Sequence, residues 1–219
     1  MALVAARDEA GSIGPCVVAL RPLVDQVVVV DDGSRDGTTE EALAAGAAVI
    51  RTGRRKGKGR ALEIALARLD PADLWLLADG DLAGTASELR GLLEVVGSGS
   101  ADLAIAVFPP AGAGGFGIVK RGAARAIRAL TGFEAREPLS GQRAATAAVL
   151  DAVRPLARGF GVETAMTIDA VRAGVSLVEI PLPGLAHRPT FRDAWGSAHR
   201  ARQGLDIVLA LLPRALGLR

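Results

Sequence analysis

Short β-branched runs alternate with stretches of helical period through the first half of the chain. The runs at 26–30, 47–50, 74–78 and 103–107, with a shorter one at 2–5, predict strands. Between them, 12–20, 38–45, 59–69 and 85–96 predict helices; in 59–69, Ala61, Leu62, Ala65, Leu66 and Leu69 share one helical face. Strand and helix in repeated alternation imply an α/β fold, a mostly parallel sheet covered by helices on both faces. The unbroken Val27–Val30 run suits a strand buried on both sides.

In open sheets of this kind, ligands bind beyond the carboxyl ends of the strands. Three acidic clusters stand at three such ends: Arg7-Asp8-Glu9, Asp31-Asp32-Gly33-Ser34 and Asp79-Gly80-Asp81. Like charges meeting on one rim repel unless a cation or the hydrogen-bond donors of a ligand offset them. Asp79 and Asp81, flanking a small residue, suit a hard divalent cation and the phosphates it carries. The same three residues also suit a tight turn capping a helix, and the motif alone leaves both readings open. The run Arg54-Arg55-Lys56-Gly57-Lys58-Gly59-Arg60 precedes a predicted helix, where glycines permit close backbone approach and cations suit a diphosphate.

The second half reads differently. The Pro/Gly segment 109–117 has no periodicity and is expected to be a lid over the acceptor side of a site. Helices are predicted at 119–130 and 161–173, a strand at 176–180, and a mostly helical tail from Asp193. In that tail Leu205, Val208, Leu209, Leu212 and Leu216 form an apolar stripe, Arg214 is among the residues supplying charge, and Pro213 is expected to interrupt the helix. The stripe suits packing on the domain or on a second subunit as a homodimer; the other reading is peripheral contact with an anionic membrane.

Composition narrows the classes. The 219 residues are 50% hydrophobic and 23% charged, which excludes a disordered chain, and they fit one domain. That domain is read as 1–219, in three stretches at 1–107, 108–192 and the tail at 193–219. Lys plus Arg exceed Asp plus Glu by 26 − 24 = 2, and only 3% of residues are aromatic, so no nucleic acid is expected. The single cysteine, Cys16, excludes a disulfide framework and reads as a buried small hydrophobe. With no signal-like start and no ~18-residue apolar run, the expectation is a cytoplasmic protein.

Taken in order, Ala5-Ala6-Arg7-Asp8-Glu9, VVVVDDGSRDGT, Gly57-Lys58-Gly59, LLADGDL and Ser140-Gly141-Gln142-Arg143 resemble family 2 glycosyltransferases of the GT-A (Rossmann-like) fold, over roughly residues 3–187. GFGVETAMTIDAVRAG and Leu185-Ala186-His187-Arg188-Pro189 are similar to glucosyl-3-phosphoglycerate synthases, and the chain also resembles polyprenyl-phosphate sugar synthases. The resemblance implies transfer of a sugar, a hexose, from a UDP- or GDP-sugar with Mg²⁺ or Mn²⁺. It implies that Ala5, Ala6 and Glu9 line the base, that Asp32 accepts from base or ribose, and that Lys58, Asp79 and Gly80 contact the donor. Asp81 and His187 would hold the metal, Asp81 and Glu163 would serve catalysis, and Ser140, Gly141, Gln142 and Arg143 would face the acceptor.

The acceptor, a small molecule or a lipid phosphate, stays open. The glycine loop continues into Ile118-Val119-Lys120-Arg121, without the Arg and Thr that hold phosphoglycerate in the relatives, although Lys120 and Arg121 suit another anion. Two other classes are weighed. A nucleotidyltransferase is disfavoured because acids, not a Gly-rich phosphate loop, follow the first strand; a non-catalytic nucleotide-sugar-binding module is separated only by assay.

Overall fold

A computed structural model describes residues 1–110, 117–188 and 196–218, with the backbone alone at 196–204. The strands are β1 (Ala2–Ala6), β2 (Val27–Asp31), β3 (Ala48–Arg51), β4 (Leu74–Asp79), β5 (Leu103–Val107), β6 (Arg143–Thr146) and β7 (Leu177–Pro181). The helices are α1 (Ile13–Leu20), α2 (Thr38–Ala44), α3 (Lys58–Leu66), α4 (Arg90–Gly97), α5 (Gly117–Thr131), α6 (Ala147–Val153), α7 (Val162–Arg172) and α8 (Gly196–Ala215). All seven strands form one sheet in the order β3-β2-β1-β4-β6-β5-β7, parallel except for β6.

Period-two alternation divides the core between the two faces of the sheet. Val27 and Val29 of β2 pack with Ile13, Val17 and Leu20 of α1 and Leu92 of α4. Val28 and Val30 face the other way, onto Leu62 of α3, Val149 of α6 and Met166 of α7. Each such side chain contributes about 1.5–3 kcal/mol when removed from water, which is why a four-valine run settles inside the sheet, between β3 and β1, with both faces covered. Cys16 is fully buried in the first cluster, and burial pushes its thiol up to about 12, so it is an inert hydrophobe.

Three features depart from the sequence-based expectations. The antiparallel strand β6 and the helix α6 after it fall where no element was predicted, and β6 inserts between β4 and β5. Arg143-Ala144-Ala145-Thr146 has little β-branched character; its partners on both sides, not its own propensity, make it a strand. The region predicted as one helix at 85–96 is a tighter 3₁₀ segment, Gly80–Leu89, bent at Ala83 (φ 47°), followed by α4. In the tail, α8 runs past Pro213 to Ala215, so the proline does not interrupt the helix.

The tail also packs with the opposite face from the one expected. Ile207, Ala210 and Arg214 are buried against the domain, whereas Leu205, Val208, Leu209, Leu212 and Leu216 are exposed. Arg214 is therefore not a surface charge: its Nε donates to Asp169 Oδ1 at 2.8 Å, and a second nitrogen bonds Oδ2 of the same carboxylate. That buried pair, rather than the leucine stripe, ties α8 to α7.

Candidate active site

Strand β1 lies between β2 and β4, so the chain leaves it in opposite directions, and the crevice at such a switch point is where ligands bind. Registers Ala6↔Asp31 and Ala5↔Asp79 bring the carboxyl ends of all three strands level. The loops beyond them are latched together. Asp8, at φ 54°, donates its backbone N–H to Ser34 Oγ at 2.9 Å, and its carboxylate accepts from Arg35 N at 2.9 Å. Glu9 is buried beneath α1, with its N–H on Thr38 Oγ1 (2.8 Å) and its Oε2 accepting from Ser12 Oγ (3.0 Å). Ala6 is buried and Ala5 half-buried, so the side chains at this end of β1 are small.

Asp32 anchors the basic loop. Its Oδ1 accepts from Lys56 N (2.7 Å) and Thr52 Oγ1 (3.0 Å), and its Oδ2 from Gly57 N (2.8 Å). Three of about four acceptor positions on the carboxylate are thus used within the protein. Gly33 permits this closeness: it sits at φ +77°, and an added Cβ would lie 2.8 Å from Arg55 N.

That loop delivers Lys58 at the start of α3 into a half-buried cluster. Lys58 Nζ lies 2.5 Å from Asp79 Oδ1 and 2.7 Å from Glu163 Oε1, in the first turn of α7. Burial alone would depress the ammonium, but the Asp79 and Glu163 charges outweigh it and hold Lys58 above its ordinary value. Burial likewise pushes the Asp79 carboxyl up, and Lys58 overrides it, leaving Asp79 below the usual range. Gln142 completes the enclosure, its Nε2 donating to Asp79 Oδ2 at 2.7 Å and its Oε1 accepting from Asp79 N at 3.0 Å. Gly141 leaves room for all of this, since a Cβ there would collide with both Lys58 Nζ and the Asp79 carboxylate.

The placement of Ser140, Gln142 and Arg143 differs from the acceptor-facing role expected of them. All three are buried: Arg143 opens β6, and Ser140 and Gln142 lie just ahead of it, where Gln142 O accepts from Ala106 N at 3.0 Å. Gln142 serves Asp79. Arg143 is 1% exposed; its Nε donates to Ser140 O at 2.9 Å, while its two terminal nitrogens have no partner. Burial pulls its guanidinium down to about 10, so it still carries its charge at neutral pH.

A second pair forms beside this cluster, from opposite ends of the sequence. His187 Nδ1 and Asp81 Oδ1 are 3.0 Å apart, and the imidazole stacks on Phe108 with centroids 4.3 Å apart. Burial depresses the imidazole, but the hydrogen bond and charge of Asp81 outweigh it, so the net shift is upward. Backbone bonds fix the segment: Arg188 N donates to Asp81 O at 2.7 Å, Thr85 Oγ1 to Ala186 O at 2.9 Å, and the Arg188 guanidinium reaches Gly11 O. A carboxylate oxygen and an imidazole nitrogen that already meet are a fitting donor set for Mn²⁺ or Mg²⁺. Among the described residues no group of three His, Cys, Asp or Glu side chains gathers as a metal site, so a cation here takes its remaining ligands from substrate and water. Gly80, between Asp79 and Asp81, is buried at the strand end.

Sequence reasoning missed Phe108 and Arg188, which orient the His187 segment. Arg188 directly follows the histidine and was legible as a neighbour; Phe108 carries no signal until the ring stack exists. The proposed lid falls mostly on 111–116, outside the described residues. Beyond it, Lys120 is tied to Glu137 at 2.5 Å, so it is not a free cation awaiting an acceptor.

Residues 2–149 match the family model for Glycosyl transferase family 2. Glycosyltransferase AglJ of Haloferax volcanii is 31% identical over 164 residues, covering 71% of this chain and 52% of the relative. Glucosyl-3-phosphoglycerate synthase of Mycolicibacterium paratuberculosis is 31% identical over 220 residues, covering 84% of this chain and 64% of the relative. The chain thus spans between half and two thirds of the length of these two relatives. The crystal structure of glucosyl-3-phosphoglycerate synthase from Mycobacterium tuberculosis with Mn²⁺, uridine diphosphate and phosphoglyceric acid superposes with a TM-score of 0.79 at 28% identity, covering 97% of this chain and 77% of that one. The family model spans more than half of the chain, and the chain belongs to glycosyl transferase family 2.

Proposed function

We propose that the protein transfers a hexose from a nucleoside-diphosphate sugar, with UDP-glucose the first candidate, to an anionic acceptor in the presence of Mn²⁺ or Mg²⁺. The observation that carries this reading is the adjacency of the Lys58–Asp79–Glu163 cluster to the Asp81–His187 pair at the switch-point crevice. It is supported by structures of the mycobacterial synthase holding Mn²⁺ with UDP-glucose and phosphoglyceric acid.

In the reaction, the bond from the anomeric carbon to the diphosphate oxygen breaks and a bond to an acceptor oxygen forms, with loss of the acceptor proton. The pocket of Ala5, Ala6 and Glu9 receives the base, and the Asp32-anchored loop holds the approach to the diphosphate. Asp81 and His187 would hold the divalent cation, whose chemistry is Lewis-acid stabilisation of the departing diphosphate. Lys58 adds charge on the same oxygens, and Asp79, fixed by Gln142, orients the ribose. Glu163 accepts a hydrogen bond from a hydroxyl of the transferred sugar or of the acceptor.

The acceptor is a small anion or a lipid phosphate. No helix among the described residues is long and apolar enough to cross a membrane. The test is incubation with Mn²⁺ and a panel of UDP- and GDP-sugars, alone and with 3-phosphoglycerate or a polyprenyl phosphate. Slow release of nucleoside diphosphate, accelerated by one acceptor, is the expected result; tight binding with no release from any combination would identify a non-catalytic binding module.

A further inference from the structure

The half-buried cluster has a second cation close by: Arg143, whose neighbouring carboxylates are Glu163 and Glu179. Lys58 faces two carboxylates, Asp79 and Glu163, so those three groups together carry a net negative charge. An incoming diphosphate would meet that charge, with the ammonium already committed to both acids. Arg143 rises from the middle of the sheet on the same side. Its register partners Leu77 and Ile105 belong to the core cluster under α3 and α7, and it lines one gap with Lys58, Leu62, Val162, Glu163 and Met166. That gap, about 10 Å³, admits at most one water, so no substrate reaches the guanidinium.

A buried arginine with two unpartnered nitrogens is costly, and an apolar side chain of similar volume would pack this position without that cost. The charge therefore serves something other than stability. We propose that Arg143 is a positioning residue, the counter-ion that neutralises Glu163 from beneath and thereby leaves the Lys58 ammonium free for the donor diphosphate. The inference rests on the donor reading above but not on turnover. As Lys58 turns outward, Glu163 keeps a cation beside it and stays charged and in place at the sugar. Without Arg143, the same movement leaves the Glu163 carboxylate with no cation beside it, and donor binding bears the penalty.

The test is calorimetric binding of UDP with Mn²⁺ to the full chain, beginning with the unmodified protein. Arg143→Met is expected to leave the melting temperature of the ligand-free protein unchanged or raised, while UDP·Mn²⁺ affinity falls about 10-fold. Arg143→Lys, which keeps the charge, is expected to restore most of that affinity. In a Glu163→Gln background the Arg143→Met penalty should largely vanish, because the group being neutralised is gone. A merely structural role for Arg143 predicts the same loss in both backgrounds together with a lowered melting temperature, and that result overturns the proposal, as does unchanged affinity in Arg143→Met. Should Arg143→Met not fold, Arg143→Gln against Arg143→Lys makes the same comparison of charge lost with charge kept. Failure of the unmodified protein to bind any nucleoside diphosphate is seen in the first titration and overturns the donor reading, and this inference with it.

Discussion

Gln142 grips Asp79 at both ends, taking the backbone N–H on its Oε1 at 3.0 Å and giving its amide Nε2 to the carboxylate at 2.7 Å. One side chain just ahead of β6 thereby sets both the end of β4 and the orientation of the acid that closes it. Gln142→Leu keeps the volume and removes both bonds, leaving a buried donor and a buried carboxylate oxygen unsatisfied. Denaturant unfolding is expected to show a loss of about 1–3 kcal/mol, with weaker UDP binding alongside. A variant as stable as the parent would mean that Asp79 is held by Lys58 alone.

The Asp81–His187 pair makes a sharper claim about metal. Asp81→Ala and His187→Ala are each expected to weaken Mn²⁺-dependent UDP binding at least ~10-fold, roughly 1.4 kcal/mol. Binding measured in chelator should change little, because the loop and Lys58 remain. Equal losses with and without Mn²⁺ would place the defect in the pocket and not in cation binding.

Acid stability should trace to Asp31. Burial pushes this fully enclosed carboxyl up, but hydrogen bonds from Ser34 and Thr39 and the Arg51 charge outweigh it and leave it below its usual value. A lowered folded-state value means that the stabilisation is complete above the unfolded value of ~3.9 and is lost as pH falls through the folded one. Asp31→Asn is therefore expected to lose less stability than the parent on going from pH ~6 to pH ~3, measured by denaturant titration at each pH. Parallel profiles for the two proteins would remove Asp31 from the acid transition.

The leucines of α8 predict association. With Leu205, Val208, Leu209, Leu212 and Leu216 exposed and the opposite face of the helix buried on the domain, a second copy of the chain is expected to cover the stripe. Light scattering should report a dimer, and the double substitution Leu209→Glu with Leu212→Glu should report a monomer of unchanged melting temperature. Flotation of a monomeric protein with anionic liposomes would assign the stripe to a membrane surface instead.

Much of the donor half was legible without coordinates. The valine run of β2, the alternating helices and the acids at three strand ends are local patterns, and local patterns suffice because a buried parallel strand and an amphipathic helix each carry their own period. The motifs placed Asp32, Lys58, Asp79, Asp81, Glu163 and His187 near one rim. Their partners were another matter. Arg143–Thr146 reads as nothing in particular; it is a strand because β4 and β5 flank it, and only there does Gln142 meet Asp79, 63 residues away in sequence. The same holds for His187 and Asp81, 106 residues apart, and for Arg143, whose burial between Leu77 and Ile105 follows from strand register. Nor did the stripe in α8 reveal which face would be turned inward, because that depended on Arg214 finding Asp169 across 45 residues. Periodicity along the chain encodes which elements form; which side chains touch is decided by strand order, and that exists only once the sheet is assembled.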